Sequence, residues 1–528
     1  MINVPMLRRL PNALLVPLLV LSLALSAVAA ANGQPLLWFA DGRPTAAALE
    51  VVAILAAAPD DGLDARDYDA DGLRAAVVRA DRESPAAAAA LASLDAALTA
   101  AFSRYLADLH SGRVAPREIG EDYDPPPRRW PPDLTAPGAT VAEGRPRAAV
   151  GEARPSLAEY TALREALSRY RALANDPAWF RPLPPLPGQK LEPGQAWSGV
   201  ADLRRRLELF GDLPAGAAVT GRYEGTSVTG VSAFQSRHGL TPDGIIGKAT
   251  FEQLNVPPAA RVQQIELAME RLRWTPRPAR AVVVNIPEFV LRAYDARRSR
   301  EDPVVSMNVI VGKAPKTPTP VFAAEMRFTE FSPYWNVPPS IARGETIPKL
   351  RHDPGYFEQQ GFEFVTGDGR VVSGLSEGSL DAVQRGQMRI RQRPGAKNAL
   401  GDIKFVFPNQ DNIYLHHTPT PQLFRRDRRD FSHGCIRVAA PVELAKFVLA
   451  DEPEWTEERI VAAMTRGRSA TLRLAEPLPV VIAYRTVVVE GGKVRFFPDL
   501  YGRDAHLAAA LRDQANRADR SGQSKTGI

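Results

Sequence analysis

A chain of 528 residues with one cysteine cannot cross-link itself. Its stability must come from buried cores, and the lone thiol, Cys435, is either an inert core residue or a reagent. Histidine is also scarce, with seven residues in the chain. Three of them, His416, His417 and His433, nevertheless cluster just before that cysteine. Long apolar runs are confined to the amino terminus. Beyond it no stretch reaches the roughly 20 apolar residues that a membrane helix needs. There are no internal repeats, which excludes solenoid architectures. Acidic residues are the minority among charges, 60 against 66 lysines and arginines, for a net charge of +6. That balance suits an anionic partner such as a wall polymer or membrane surface. In a secreted chain without a recognition motif, no nucleic-acid partner is expected.

The amino terminus places Arg8 and Arg9 before an apolar run from Leu14 to about Val28, followed by small residues near Ala29 to Ala31. This reads as a secretory signal over residues 1–30; left uncleaved, it would anchor the chain in a membrane. The remainder is 45% apolar and 24% charged counted over the whole chain, ordinary for globular domains and long enough for about three of them.

Alanine and leucine at helical spacing predict an α-helical domain over 35–190, interrupted by a proline-, glycine- and arginine-rich loop at 122–155. A stiff linker, RPLPPLPGQKLEPGQ, leads to three short amphipathic helices over 197–256. After a connecting helix, RVQQIELAMERLRW, the pattern changes to alternation and β-branched runs, predicting a mostly β domain over 279–450. Polar, glycine-rich sequence at 340–393 predicts a lid or capping subdomain inserted between its strands. Residues 451–528 are expected to pack as an extension on the scaffold and β domains, with a hairpin around Gly491 and Gly492. The predicted fold class is therefore multidomain α+β.

A free thiol is only a few per cent thiolate at neutral pH, so a nucleophilic cysteine needs a neighbouring base. In FSHGCIRV, His433 precedes Cys435 by two positions, and on an extended strand such residues share a face. Gly434 between them admits a close substrate backbone, and amides at Gly434 and Cys435 are candidates to receive an oxyanion. A zinc site built from His416, His433 and Cys435 lacks the usual ligand spacing, and no metal or cofactor is expected. An inert buried cysteine is the remaining alternative.

His416, fifteen residues, then Ser432-His433-Gly434-Cys435 resembles the signature of the L,D-transpeptidase (YkuD) catalytic domain. The segment with Phe234, Gln235, Gly239, Leu240, Asp243, Gly244 and Gly247 resembles the peptidoglycan-binding domain type 1. HGCIRV, LHHTP, the interrupted β domain and the alanine-rich scaffold together resemble the YcbB-type subfamily of Gram-negative periplasms. The resemblance implies Cys435 as nucleophile, His433 as its base and Gly434 at the oxyanion. His416 and Ser432 would line the site, Arg437 would hold a carboxylate, and Trp335 would border the cleft. The implied substrate is peptidoglycan with tetrapeptide stems. The implied reaction is 3→3 cross-linking through a cysteine acyl-enzyme with release of D-alanine, or trimming to tripeptides if water is the acceptor. A silent wall-binding scaffold is the non-enzymatic alternative. Carbapenems as covalent inhibitors, a periplasmic location and peptidoglycan-synthase partners are further implications of the resemblance.

Overall fold

The computed structural model describes residues 36–82, 88–123, 140–216, 221–299 and 302–523. The signal stretch 1–30 and residues 124–139 of the proline-rich loop lie outside the described residues. Among the described residues no helix is long and apolar enough to cross a membrane.

The amino-terminal layer is helical because its apolar residues recur every three or four positions. In Ala88–Ser111 the buried residues Leu98, Phe102, Tyr105, Leu106 and Leu109 form one stripe. In Ala46–Ala56, Thr45 caps the helix by accepting the Ala48 N–H at 3.2 Å. The expected loop at 122–155 is partly structured: Pro146–Ala153 is a helix with Pro146 in its first turn and Ala149, Val150 and Ala153 buried. Proline there costs no hydrogen bond, and composition alone concealed the apolar stripe.

The three-helix module, Val200–Phe210, Thr226–Arg237 and Lys248–Leu254, shares one hydrophobic core with the scaffold. The segment expected to be a stiff linker takes part in it, since Leu183 and Leu191 are buried and Leu191 bridges to Ile246. Gln235 ties the module's last turn: its amide donates to Asp243 Oδ1 and Ile245 O, both at 2.9 Å, and accepts from Gly244 N at 2.8 Å. Asp243 is a turn residue, its Oδ1 also accepting Ile245 N at 2.9 Å.

Helix Pro258–Trp274 crosses between scaffold and β domain. Its Arg271 is fully buried between Glu121, at 3.0 Å, and Asp504, while Arg273 meets Glu270 and donates to the Tyr160 hydroxyl at 2.9 Å. Buried guanidiniums tolerate such placement only when paired. These pairs therefore fix the helix relative to the scaffold and the carboxyl-terminal segment.

The β domain is a closed ring of eight strands. Arg280–Asn285 pairs with Val290–Asp295, then Val305–Gly312, then Ile436–Val438. The ring continues through Leu415–His416, in parallel, to Ile403–Val406, Val321–Phe331 and Ala470–Ala483, which returns in parallel to Arg280–Asn285. Val282, Val284, Leu291, Val309, Phe405, Leu415 and Ile436 belong to its core. The expected boundary at 450 needs correction, because Ala470–Ala483 is a member of the ring. Its register shifts between Arg473 and Leu478, around AEPLP, which hides strand alternation in the sequence.

Trp335–Asn336 begins the inserted subdomain, ahead of the expected start at 340. Its sheet runs Val371–Val372, Phe362–Thr366, Met388–Gln392, Trp335–Asn336. Ile347, Leu350, Phe357, Phe364, Leu380 and Ile390 form a core separate from that of the ring.

Candidate active site

Strand Asp430–Ser432 runs parallel to the end of Val305–Gly312, and Ile436–Val438 resumes beyond it. Residues 433–435 leave the extended conformation between them, with Gly434 at φ +114°. A side chain is strained at that angle, and a Cβ would also approach Ile413 Cδ1 to 3.2 Å. The turn is tied from both sides. Ser432 Oγ donates to Cys435 O at 2.5 Å, Thr319 Oγ1 donates to Gly434 O at 2.7 Å, and Thr317 Oγ1 donates to Ser432 O at 3.1 Å. Ser432, itself buried, thus shapes the turn that carries Cys435. The Gly434 N–H donates to Ser432 Oγ at 3.2 Å. Among the described residues neither the His433 N–H nor the Cys435 N–H of the turn has a hydrogen bond.

This turn overturns the same-face argument for His433 and Cys435. His433 swings outward, its Nε2 lying 2.7 Å from Glu345 Oε1 of the inserted subdomain. The Cys435 Sγ has other neighbours: it lies 3.6 Å from Asn412 O and is hydrogen-bonded by the Tyr414 side chain. No hydrogen bond joins His433 to the thiol among the described residues.

His416 is placed differently. It pairs across the parallel ladder with Arg437, while the neighbouring Leu415 and Ile436 point into the ring's core. Contacts gather Tyr414, His416, Cys435 and Arg437: the Tyr414 and His416 rings are 5.7 Å apart, the Tyr414 side chain hydrogen-bonds the thiol, and the Arg437 cation acts on both His416 and Cys435. His416 is buried, and its Nδ1 contacts the His417 carbonyl. In the neutral ring a proton on Nδ1 leaves the lone pair on Nε2, and the Leu400 carbonyl is a second backbone oxygen within hydrogen-bonding reach of the ring. Burial, reinforced by the Arg437 cation, pushes its pKa down to about 3, so the ring is neutral. His417 faces away, with Nδ1 3.3 Å from Asp402 Oδ2.

Burial pushes the Cys435 thiol up; Tyr414's hydrogen bonds and the Lys404 and Arg437 cations act in the opposite direction. Lys404 Nζ sits 4.4 Å from the centre of the Tyr414 ring and 3.2 Å from Glu330 Oε2. Burial and the adjacent thiol keep the Tyr414 phenol protonated and able to donate. Arg437 has no carboxylate partner among the described residues. Its Nη1 lies 3.5 Å from Thr420 Oγ1, and its buried Nε is unpaired. A half-buried guanidinium without a carboxylate partner, beside a thiol, has the planar donor fork that suits a carboxylate.

The family model described as "L,D-transpeptidase catalytic domain" matches residues 279–482. This chain carries an L,D-transpeptidase catalytic domain. The match ends with the strand that closes the ring. A model described as "Scaffold domain" matches residues 24–167, and one described as "Putative peptidoglycan binding domain" matches 198–254. A relative named "Putative L,D-transpeptidase" from Haemophilus influenzae is 32% identical over 248 residues, covering 47% of this chain and 49% of the relative. The chain thus spans about half the length of that curated relative. The crystal structure of an L,D-transpeptidase from Xylanimonas cellulosilytica aligns with 57% of this chain and 100% of its own, at 16% identity and a TM-score of 0.17. The structure of one from Stackebrandtia nassauensis aligns with 57% and 98%, at 12% identity and a TM-score of 0.22.

Within the transpeptidase domain, the structure gathers Cys435, Gly434, Ser432, His416 and Arg437 into one site and turns His433 to its edge. Trp335 pairs with Gln392 and packs against the core of the inserted subdomain. Tyr414, Lys404 and Glu345 were missed. Tyr414 was detectable, two positions before His416 in a short strand, NIYLHHT. Glu345 carried no signal, being 88 residues from its partner.

Proposed function

We propose that this protein cross-links peptidoglycan by acyl transfer through Cys435, working outside the cytoplasm, where that polymer lies. The observation that carries the reading is the gathering of Cys435, a neutral His416 and an Arg437 with no acidic partner. Arg437 holds the terminal carboxylate of a tetrapeptide stem. His416 Nε2 accepts the thiol proton as the sulfur attacks the amide before the terminal D-alanine. The Cys435 N–H meets the developing oxyanion, and His416 returns the proton to the departing D-alanine amine. An amine on the third residue of a second stem then opens the thioester, giving a 3→3 cross-link. The peptidoglycan-binding module, joined to the scaffold by a common core, holds polymer near this site.

Mature protein incubated with tetrapeptide-rich peptidoglycan should produce 3→3 dimers and free D-alanine, read by chromatography and mass spectrometry. Shortened tripeptide stems alone would identify a carboxypeptidase instead. Arg437→Lys keeps the charge but loses the planar fork, and is expected to raise KM for the donor stem about tenfold. An unchanged KM would remove Arg437 from carboxylate binding.

A further inference from the structure

The inserted subdomain has its own core and joins the ring through a neck formed by residues 332–334 and 393–402. Outside that neck, one polar link connects it to the rest of the described residues: the pair between Glu345 and His433. Glu345 lies in a π-helical turn, Ala342–Thr346, flanked by Pro339 and Pro348. Such turns are often found at functional sites. Both side chains are open to solvent, His433 at 44% and Glu345 at 59% exposure.

Neither group is needed for acylation as described above, where Cys435, His416 and Arg437 suffice. The second half-reaction has different requirements. Its nucleophile is a primary amine that arrives as an ammonium ion. It must be held close to the thioester and must lose a proton before its lone pair can attack. A carboxylate and a base side by side at the mouth of the site meet both requirements. With Nε2–H donated to Glu345, the neutral His433 ring has a bare Nδ1 available to accept a proton. Only Gly434 separates it from Cys435, so the two Cα atoms are within about 7 Å.

We propose that Glu345 and His433 form the acceptor subsite for a primary amine, a proposal that rests on the acyl-transfer reading above. Glu345 binds the ammonium and fixes the tautomer of His433. His433 removes one proton to solvent, and the amine lone pair then adds to the thioester carbonyl. A C–N bond forms and the C–S bond breaks. The second amine proton passes through His416 to the departing thiolate, regenerating the Cys435 thiol.

The test separates the two halves in wild type, Glu345→Gln and Glu345→Asp. Acyl-enzyme formation is followed by intact mass with a carbapenem. Transfer is followed with disaccharide-tetrapeptide as donor and disaccharide-tripeptide, which can accept but not donate, as the separately varied acceptor. Glu345→Gln should acylate at close to the wild-type rate, need about fivefold to tenfold more acceptor for half-maximal dimer formation, and divert product toward hydrolysed tripeptide. Glu345→Asp should recover part of the loss. Hydroxylamine, an amine nucleophile largely uncharged at neutral pH, should open the thioester equally well in all three. Unchanged acceptor dependence in Glu345→Gln overturns the proposal. So does an equal loss of acylation, which would make Glu345 a determinant of subdomain position. A wild type that acylates and hydrolyses yet never forms dimers overturns the cross-linking reading itself, and the acceptor subsite with it.

Discussion

Cys435→Ala is expected to abolish covalent capture of a carbapenem, while the wild-type chain gains the mass of a single drug molecule. The effect should be complete because Cys435 is the only cysteine in the chain, so no second thiol can mask the loss. The surroundings of the sulfur explain why it should react at all. Burial disfavours the thiolate, yet Tyr414 donates a hydrogen bond to the sulfur, and Lys404 and Arg437 contribute positive charge. The turn through Gly434 places the Cys435 amide, without a hydrogen bond among the described residues, at the same atom cluster. Cys435→Ser tests the same point more gently: the hydroxyl preserves the turn but is a far weaker nucleophile, so it should fold normally and fail to acylate. A drug-sized increment on Cys435→Ala would move the reactive atom elsewhere and undo the nucleophile assignment.

The chemistry of this chain was legible wherever it is local in sequence. The spacing from His416 to Cys435 and the turn glycine mark residues that the fold brings close together. The same holds for the motif residues of the binding module, whose Gln235 and Asp243 close a turn only a few positions long. What stayed hidden depends on contacts that alternation cannot express. His433 and Cys435 are two apart, but Gly434 at φ +114° breaks the strand, and the two side chains meet different partners, Glu345 and Tyr414. Glu345 reaches His433 only because an independently folded insertion returns over the site. The last ring strand, Ala470–Ala483, was obscured by prolines and a shift of register. Helix Pro146–Ala153 was obscured by the composition of its neighbours.

The division of labour between the histidines gives the second large effect. His416→Ala is expected to slow acylation by about 10²–10⁴-fold, the usual contribution of a positioned general base, whereas His433→Ala should leave acylation within a few-fold and weaken transfer to the amine. His416 is buried, with Nδ1 held by the His417 carbonyl and its ring 5.7 Å from that of Tyr414, whose side chain hydrogen-bonds the thiol. His433 is half exposed and engaged with Glu345. Cavity effects at His416 are controlled by His416→Gln, which fills similar space and can hydrogen-bond but cannot accept a proton near neutral pH. Both variants should bind donor stems through Arg437 and fail at the chemical step, lowering kcat more than they raise KM. If His433→Ala instead stopped acylation and His416→Ala did not, His433 would have to turn from Glu345 to the thiol during the reaction. The pair at the mouth of the site would then be a resting arrangement that donor binding breaks.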